Sequence, residues 1–232
     1  MRRRRVLRRF KPWTRPGSMA GDKAEQGIEL LTRTLGPWHT DTVDARRKLR
    51  FWLLKEGDPA AAIRLAQTEV ADRTAALGAD HPDTLAARWE LISLAPKTLG
   101  WPTVIAETRR LADDRARVLG PYHRDTLLAR RSVGYSLRDS GASAEAIQVF
   151  TDVLAELEAL ERPSEEQLRE TWQGLAYALE RHGDVKRALF FVEKELAAER
   201  RTVYPEDENL GQHHLKMLLE WRDRLRGKQA AR

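Results

Sequence analysis

Cysteine is absent from the 232 residues, which excludes disulfides, thiolate metal centres and cysteine nucleophiles together. No apolar run approaches the roughly 20 residues that a membrane-spanning helix requires. No Gly-rich loop opens a helix after a strand, and neither Gly-x-Ser-x-Gly nor His-Glu-x-x-His occurs, so the common signatures of nucleotide binding, serine hydrolysis and zinc proteolysis are missing. With 41% apolar and 33% charged residues the chain is too apolar for disorder and too polar for a bilayer. A folded, soluble, cytoplasmic protein without cofactor or small-molecule substrate is expected.

The net charge of +6 is unevenly placed. Residues 2–17 hold eight basic groups (Arg2, Arg3, Arg4, Arg5, Arg8, Arg9, Lys11, Arg15) and no acid, leaving 33 basic against 35 acidic groups elsewhere. The basic character therefore belongs to an arm, and a nucleic-acid role for the whole chain does not follow from it. The arm lacks the apolar stretch of a secretion signal. It reads either as a tail that attracts nucleic-acid phosphates or an anionic membrane, with Phe10 and Trp13 as anchors, or as an extension ahead of a start at Met19.

Three stretches punctuate the sequence at a fixed interval of 42: LGPWHTDT at 35–42, LGADHPDT at 77–84 and LGPYHRDT at 119–126. At the same interval Leu49, Leu91, Val133 and Leu175 fall in one column, Ile63, Ile105, Ile147 and Leu189 in a second, and Ala62, Val104, Ala146 and Ala188 in a third. Gly57, Gly141 and Gly183 form a fourth, with Gly100 one place late. A fixed period of this length marks a solenoid of repeats.

Apolar residues recur at helical spacing twice within each row, so each row is a helical hairpin. Gly36, Gly78 and Gly120 supply a left-handed stop. Pro82 and Asp83 suit a first helical turn. Rows four and five keep a proline and acids at their starts but lose Gly-x-x-His. Pro96 is expected to shorten or kink the first helix of row two. The resulting domain plan has a basic arm at 1–19, a repeat region at 20–226 and a tail at 227–232. The repeat region comprises a capping helix 20–35, repeats near 36–77, 78–119, 120–161 and 162–203, and a capping helix 204–226.

The LG-x-x-HP-x-T openings resemble the tetratricopeptide repeat family, in the 42-residue variety of kinesin light chains and many actinobacterial proteins. The resemblance spans residues 20 to about 226 and implies an all-α fold: a right-handed α-solenoid of helix-turn-helix hairpins, about ten helices in all. It also implies a concave groove, lined by the first helices, that binds a partner protein or peptide without catalysis.

If Leu49, Leu91, Val133 and Leu175 hold the family's core position, helical geometry places groove residues two before it and two and six after it. These are Arg47, Trp89, Arg131 and Gln173; Phe51, Ser93, Tyr135 and Tyr177; and Lys55, Lys97, Asp139 and Arg181, with Lys48 and Arg138 adding charge. The bland alternative is that several meet solvent or intramolecular acids such as Glu90, Asp139 and Glu180. As a groove, the set suits an extended ligand with carboxylates and an apolar anchor. Phe150, Trp172, Phe190 and Phe191 read as core, and the paired carboxylates Asp113–Asp114 and Glu165–Glu166 as solvated faces.

His39, His81 and His123 do not suit one metal. Equivalent positions in stacked repeats lie on the order of 10 Å apart, whereas zinc ligands lie within about 4 Å of one another. His213 and His214 project in different directions. The sequence thus predicts an interaction adaptor; the other readings are an arm-tethered accessory factor binding nucleic acid or membrane through residues 1–17, and a peptide-responsive sensor.

Overall fold

The computed structural model describes the backbone of residues 18–94, 99–200 and 208–231, and the side chains of these except 18–24 and 208–211. The described residues form ten helices and no strand. They are α1 (Ser18–Leu35), α2 (Thr40–Lys55), α3 (Pro59–Leu77), α4 (Pro82–Leu94), α5 (Trp101–Leu119), α6 (Arg124–Ser140), α7 (Ser143–Glu158), α8 (Glu165–His182), α9 (Val185–Glu199) and α10 (Glu208–Ala230). Two compact units divide the chain, Met1–Asp72 and Arg73–Arg232, the boundary falling within α3. Pro96 lies outside the described residues. Residues 227–230, expected as tail, continue α10, where Lys228 is held by Glu180 at 2.8 Å.

The three glycine-containing turns between rows are built the same way. Gly36, Gly78 and Gly120 take φ of 97°, 92° and 97°. Gly120 pairs this with ψ of 157°, a region open essentially to glycine alone, whereas Gly141, which ends α6, has ψ of −5° in the left-handed helical region. The first kind of stop is therefore stricter than the left-handed cap the sequence suggests. The threonine six residues on donates its hydroxyl to the glycine carbonyl: Thr42 to Gly36 at 2.9 Å, Thr84 to Gly78 at 2.8 Å and Thr126 to Gly120 at 2.9 Å.

The three histidines also have a function that spacing did not reveal. The Nδ1 atoms of His39, His81 and His123 accept hydrogen bonds from the amides of Asp41, Asp83 and Asp125 at 3.2, 3.1 and 3.1 Å, capping α2, α4 and α6. Each satisfies an amide that the helix cannot. Replacing His81 with Ala should lower the unfolding free energy by about 1 kcal/mol, and His81→Asn should recover most of it, in urea titrations.

A second ladder ties the two helices of a row. Arg46 pairs with Asp72 at 3.3 Å, Arg88 with Asp114 at 2.7 Å, and Arg130 with Glu156, always 26 residues apart. In row four the corresponding residues are Trp172 and Ala198, both members of the hydrophobic core, so the ionic pair is not repeated there. A third ladder joins a second helix to the next row's first turn: Arg73 donates to the Asp83 carbonyl at 2.9 Å, and Arg115 to that of Asp125 at 3.0 Å.

Packing in the second unit follows the repeat. Each helix from α4 to α9 contacts the next one in sequence, both within hairpins and between them, and α6 also contacts α8. Ala62, Val104, Ala146 and Ala188 are all buried, as are Leu49, Val133 and Leu175, while Leu91 is half-buried. Phe150, fully buried, sits between Gly134 of α6 and Gly174 of α8. Trp172 and Phe191 are buried as expected, but Phe190 is 54% exposed and meets Phe191 edge-on. No described helix is long and apolar enough to cross a membrane.

Candidate interaction surface

α2 separates its residues sharply. Thr42, Arg46, Leu49 and Arg50 face inward, Arg50 being paired with buried Glu69. A helix repeating every 3.6 residues then sends Arg47, Phe51 and Lys55, four apart, to the other side, with Lys48 beside them. The Arg47 side chain is 64% exposed and lies 3.8 Å from Asp44. Phe51 is 63% exposed, with the Lys55 ammonium 5.5 Å from its ring centroid. Lys48 and Lys55 are exposed and Leu54 is 39% exposed. Three cations thus share the exposed side of one helix with an uncovered aromatic ring.

The corresponding residues of later rows are more engaged. Trp89 is half-buried with the Arg115 guanidinium 5.4 Å from its ring, and Ser93 donates to the Glu90 carbonyl at 2.7 Å. Lys97 and the basic arm lie outside the described residues. Arg131 is only 3% exposed and pairs with Glu170 of α8, so it does not line a solvated wall. Tyr135 donates to the Glu170 carbonyl at 3.1 Å and packs edge-on against Phe150. Burial pushes its hydroxyl above the ordinary tyrosine value.

Arg138 lies 5.1 Å from the Tyr135 ring and 5.6 Å from that of Tyr177, and it pairs with Asp139 at 2.7 Å. The structure therefore brings Tyr135, Arg138 and Tyr177 together. Gln173 donates to Glu195 at 3.4 Å, and Arg181 is exposed. Tyr177 stacks on Trp221 of α10, centroids 4.0 Å apart and planes 21° off parallel. The difference has a geometric origin: in rows three and four the position two after the core points along the stack, at the next first helix.

α10 supplies residues that the sequence did not single out. The Trp221 indole donates to Glu180 at 2.7 Å, joined by Lys228 at 2.8 Å and Arg224 at 3.2 Å. Burial alone would raise Glu180, but these three donors outweigh it and hold the carboxyl below its ordinary value. Trp221, Leu218 and Leu225 are buried at helical spacing, the one signal that could have marked this face. Three acids that the sequence did not single out, Glu69, Glu195 and Glu199, are also buried.

Elsewhere, a cleft of about 300 Å³ among α5, α6 and α7 is lined by Val133, Val149 and Val153 together with Arg109, Asp113 and Asp152. No histidine or hydroxyl nucleophile lines it beside those carboxylates. Among the described residues no group of three or more His, Asp or Glu side chains could hold a metal ion.

No protein-family model matches the sequence, and no curated protein matches it either. Solved structures do. BtubC (BKLC) from P. vanneervenii superposes with a TM-score of 0.65 at 15% identity, over 92% of this chain and 91% of that one. The nearly identical TPR-like repeats of a Podosopora anserina kinesin-light-chain-type protein give 0.59 at 20% identity, over 84% of this chain and 98% of that one. A point variant of those repeats gives 0.63 at 20% identity, over 78% and 86%. At these identities the likeness is one of fold, and it agrees with the 42-residue period, the capped turns and the paired helices seen here. The chain has the helical-hairpin repeat fold of the kinesin-light-chain-like tetratricopeptide proteins.

Proposed function

We propose that this protein is a noncatalytic interaction adaptor whose α2 face binds an extended segment of a partner protein that carries carboxylates beside a large apolar side chain. The single observation behind this reading is Phe51, an exposed aromatic ring on the same helix side as the exposed Arg47, Lys48 and Lys55. An uncovered aromatic among cations loses little entropy on binding and gains apolar contact, while the guanidinium can take a carboxylate through two parallel bonds. The likeness of fold to kinesin-light-chain-like repeats supports an interaction role in general.

A phage-displayed library of random dodecapeptides, selected against the full chain, tests the chemistry. The enriched sequences should combine Asp or Glu with Trp, Phe or Leu, and the same families should emerge against a chain beginning at Met19. Enrichment of basic or purely apolar peptides would refute the reading. Loss of all binding on that truncation would favour the arm of residues 2–17 as the contact surface.

A further inference from the structure

The junction of α9 with α10 holds charge where the neighbouring core holds hydrocarbon. Glu195 and Glu199 sit one turn apart on the inner side of α9, 2% and 3% exposed. His214 enters from α10, with its Nδ1 3.1 Å from Glu199 Oε1 and its Nε2 3.4 Å from Glu195 Oε1. From α8, Arg169 donates to Glu199 Oε2 at 2.8 Å and Gln173 donates to Glu195 Oε1 at 3.4 Å. From α6, Tyr135 is near enough to feel the Glu195 charge, along with those of Arg131, Arg138 and Glu170. Glu195 Oε2 is buried without a hydrogen-bond partner.

The tautomers of imidazole make this arrangement a proton count. A neutral ring has one N–H and one bare nitrogen, so it can donate to only one carboxylate while the bare nitrogen faces the lone pairs of the other. Both contacts are favourable together only when the cluster holds one more proton. That proton sits either on the ring, giving an imidazolium between two carboxylates, or on Glu195, whose O–H then donates to the bare nitrogen. Arg169 compensates one carboxylate in either case. Without the extra proton, Glu195 adds a second buried negative charge beside Glu199.

We propose that the α9–α10 junction is a proton-binding site, and that α10 docks with this proton bound and loosens as it is lost. Burial, reinforced by the neighbouring Glu199 charge and only partly relieved by Arg169, pushes the Glu195 carboxyl up to about 7. A carboxyl raised in the folded state contributes stability that is full below its ordinary value and is lost as pH rises through the folded value, so docking weakens from the ordinary carboxylate range up to about neutrality and levels off above it. The same helix carries Trp221, which covers Tyr177. Its release would bare a ring in the sequence-predicted binding set; that consequence rests on the proposed function, whereas the proton linkage does not.

Hydrogen exchange of the full chain between pH 5.5 and 8.0, corrected for the intrinsic pH dependence of exchange, tests the linkage without any partner. The opening of segment 212–230 should rise with pH by up to about tenfold per unit below neutrality, the limit for one proton, and level off toward pH 8. Segment 124–158 should not follow it. Glu195→Gln keeps the shape, cannot ionise and offers an amide N–H to the bare ring nitrogen, so α10 should stay protected at pH 8 with the slope abolished. A flat wild-type profile, or an unchanged slope in Glu195→Gln, would overturn the proposal. Should that variant misfold, the side-chain carboxyl ¹³C resonance of Glu195 in the wild type decides: titration near neutrality supports the site, and titration in the ordinary carboxylate range refutes it.

Discussion

Gly174→Ala should destabilise the protein by about 2 kcal/mol or more, although alanine is the better helix former by about 1 kcal/mol. A Cβ at this position would lie 2.4 Å from Cε1 and 2.6 Å from Cζ of Phe150. The ring cannot retreat in the opposite direction, because a Cβ built on Gly134 would already stand 2.7 Å from the same Cζ. Phe150 is thus clamped between the backbones of α6 and α8, with Tyr135 against its edge at 5.1 Å. Interiors packed this densely absorb an added methyl only by moving helices apart.

A suppressor makes the interpretation specific. Phe150→Leu alone should also destabilise, through the cavity it leaves, but combined with Gly174→Ala it should be less harmful than the sum of the two single changes. Urea unfolding of the two singles and the double measures this coupling. A stabilised Gly174→Ala protein would mean that helix propensity outweighs the clash and that the two helices are not held by this ring.

The two helical glycines show how unevenly the fold was legible. The hairpins, their turns and the buried columns follow from period and spacing, because a 42-residue repeat restates the same physical constraint several times. The Gly57, Gly141 and Gly183 column was visible for that reason, whereas Gly134 and Gly174 belong to no column and answer to a single phenylalanine. The histidine caps were visible as positions but not as hydrogen bonds, since histidine is not among the usual capping residues.

The candidate surface was less legible than the fold. Helical geometry assigns a direction to Arg131 and Tyr135, but not the neighbour that each will meet; α8 supplies Glu170 to both, and α10 supplies Trp221 to Tyr177. Glu195 and Glu199 escaped notice because single buried acids leave no periodic trace, though their four-residue spacing among Val192, Leu196 and Ala198 puts them on the apolar side of α9. Arg47, Lys48, Phe51 and Lys55 are exposed at the positions the sequence proposed for a binding wall.

This α2 face, rather than charge in general, is proposed to bind the partner segment. Two triple variants of equal charge loss decide it, measured by fluorescence anisotropy with one selected acidic peptide at fixed ionic strength: Arg47→Ala/Lys48→Ala/Lys55→Ala, and the control Arg64→Ala/Arg109→Ala/Arg187→Ala. The first removes exposed side chains beside Phe51, so the helical circular dichroism should be unchanged. Each charge-assisted bond the peptide uses is worth about 1.5–3 kcal/mol, so the affinity should fall at least about tenfold per bond. The control should bind within about twofold of wild type, since exposed charges away from the contact are screened by salt. Equal weakening by both triples, or full binding by the first, would contradict the account.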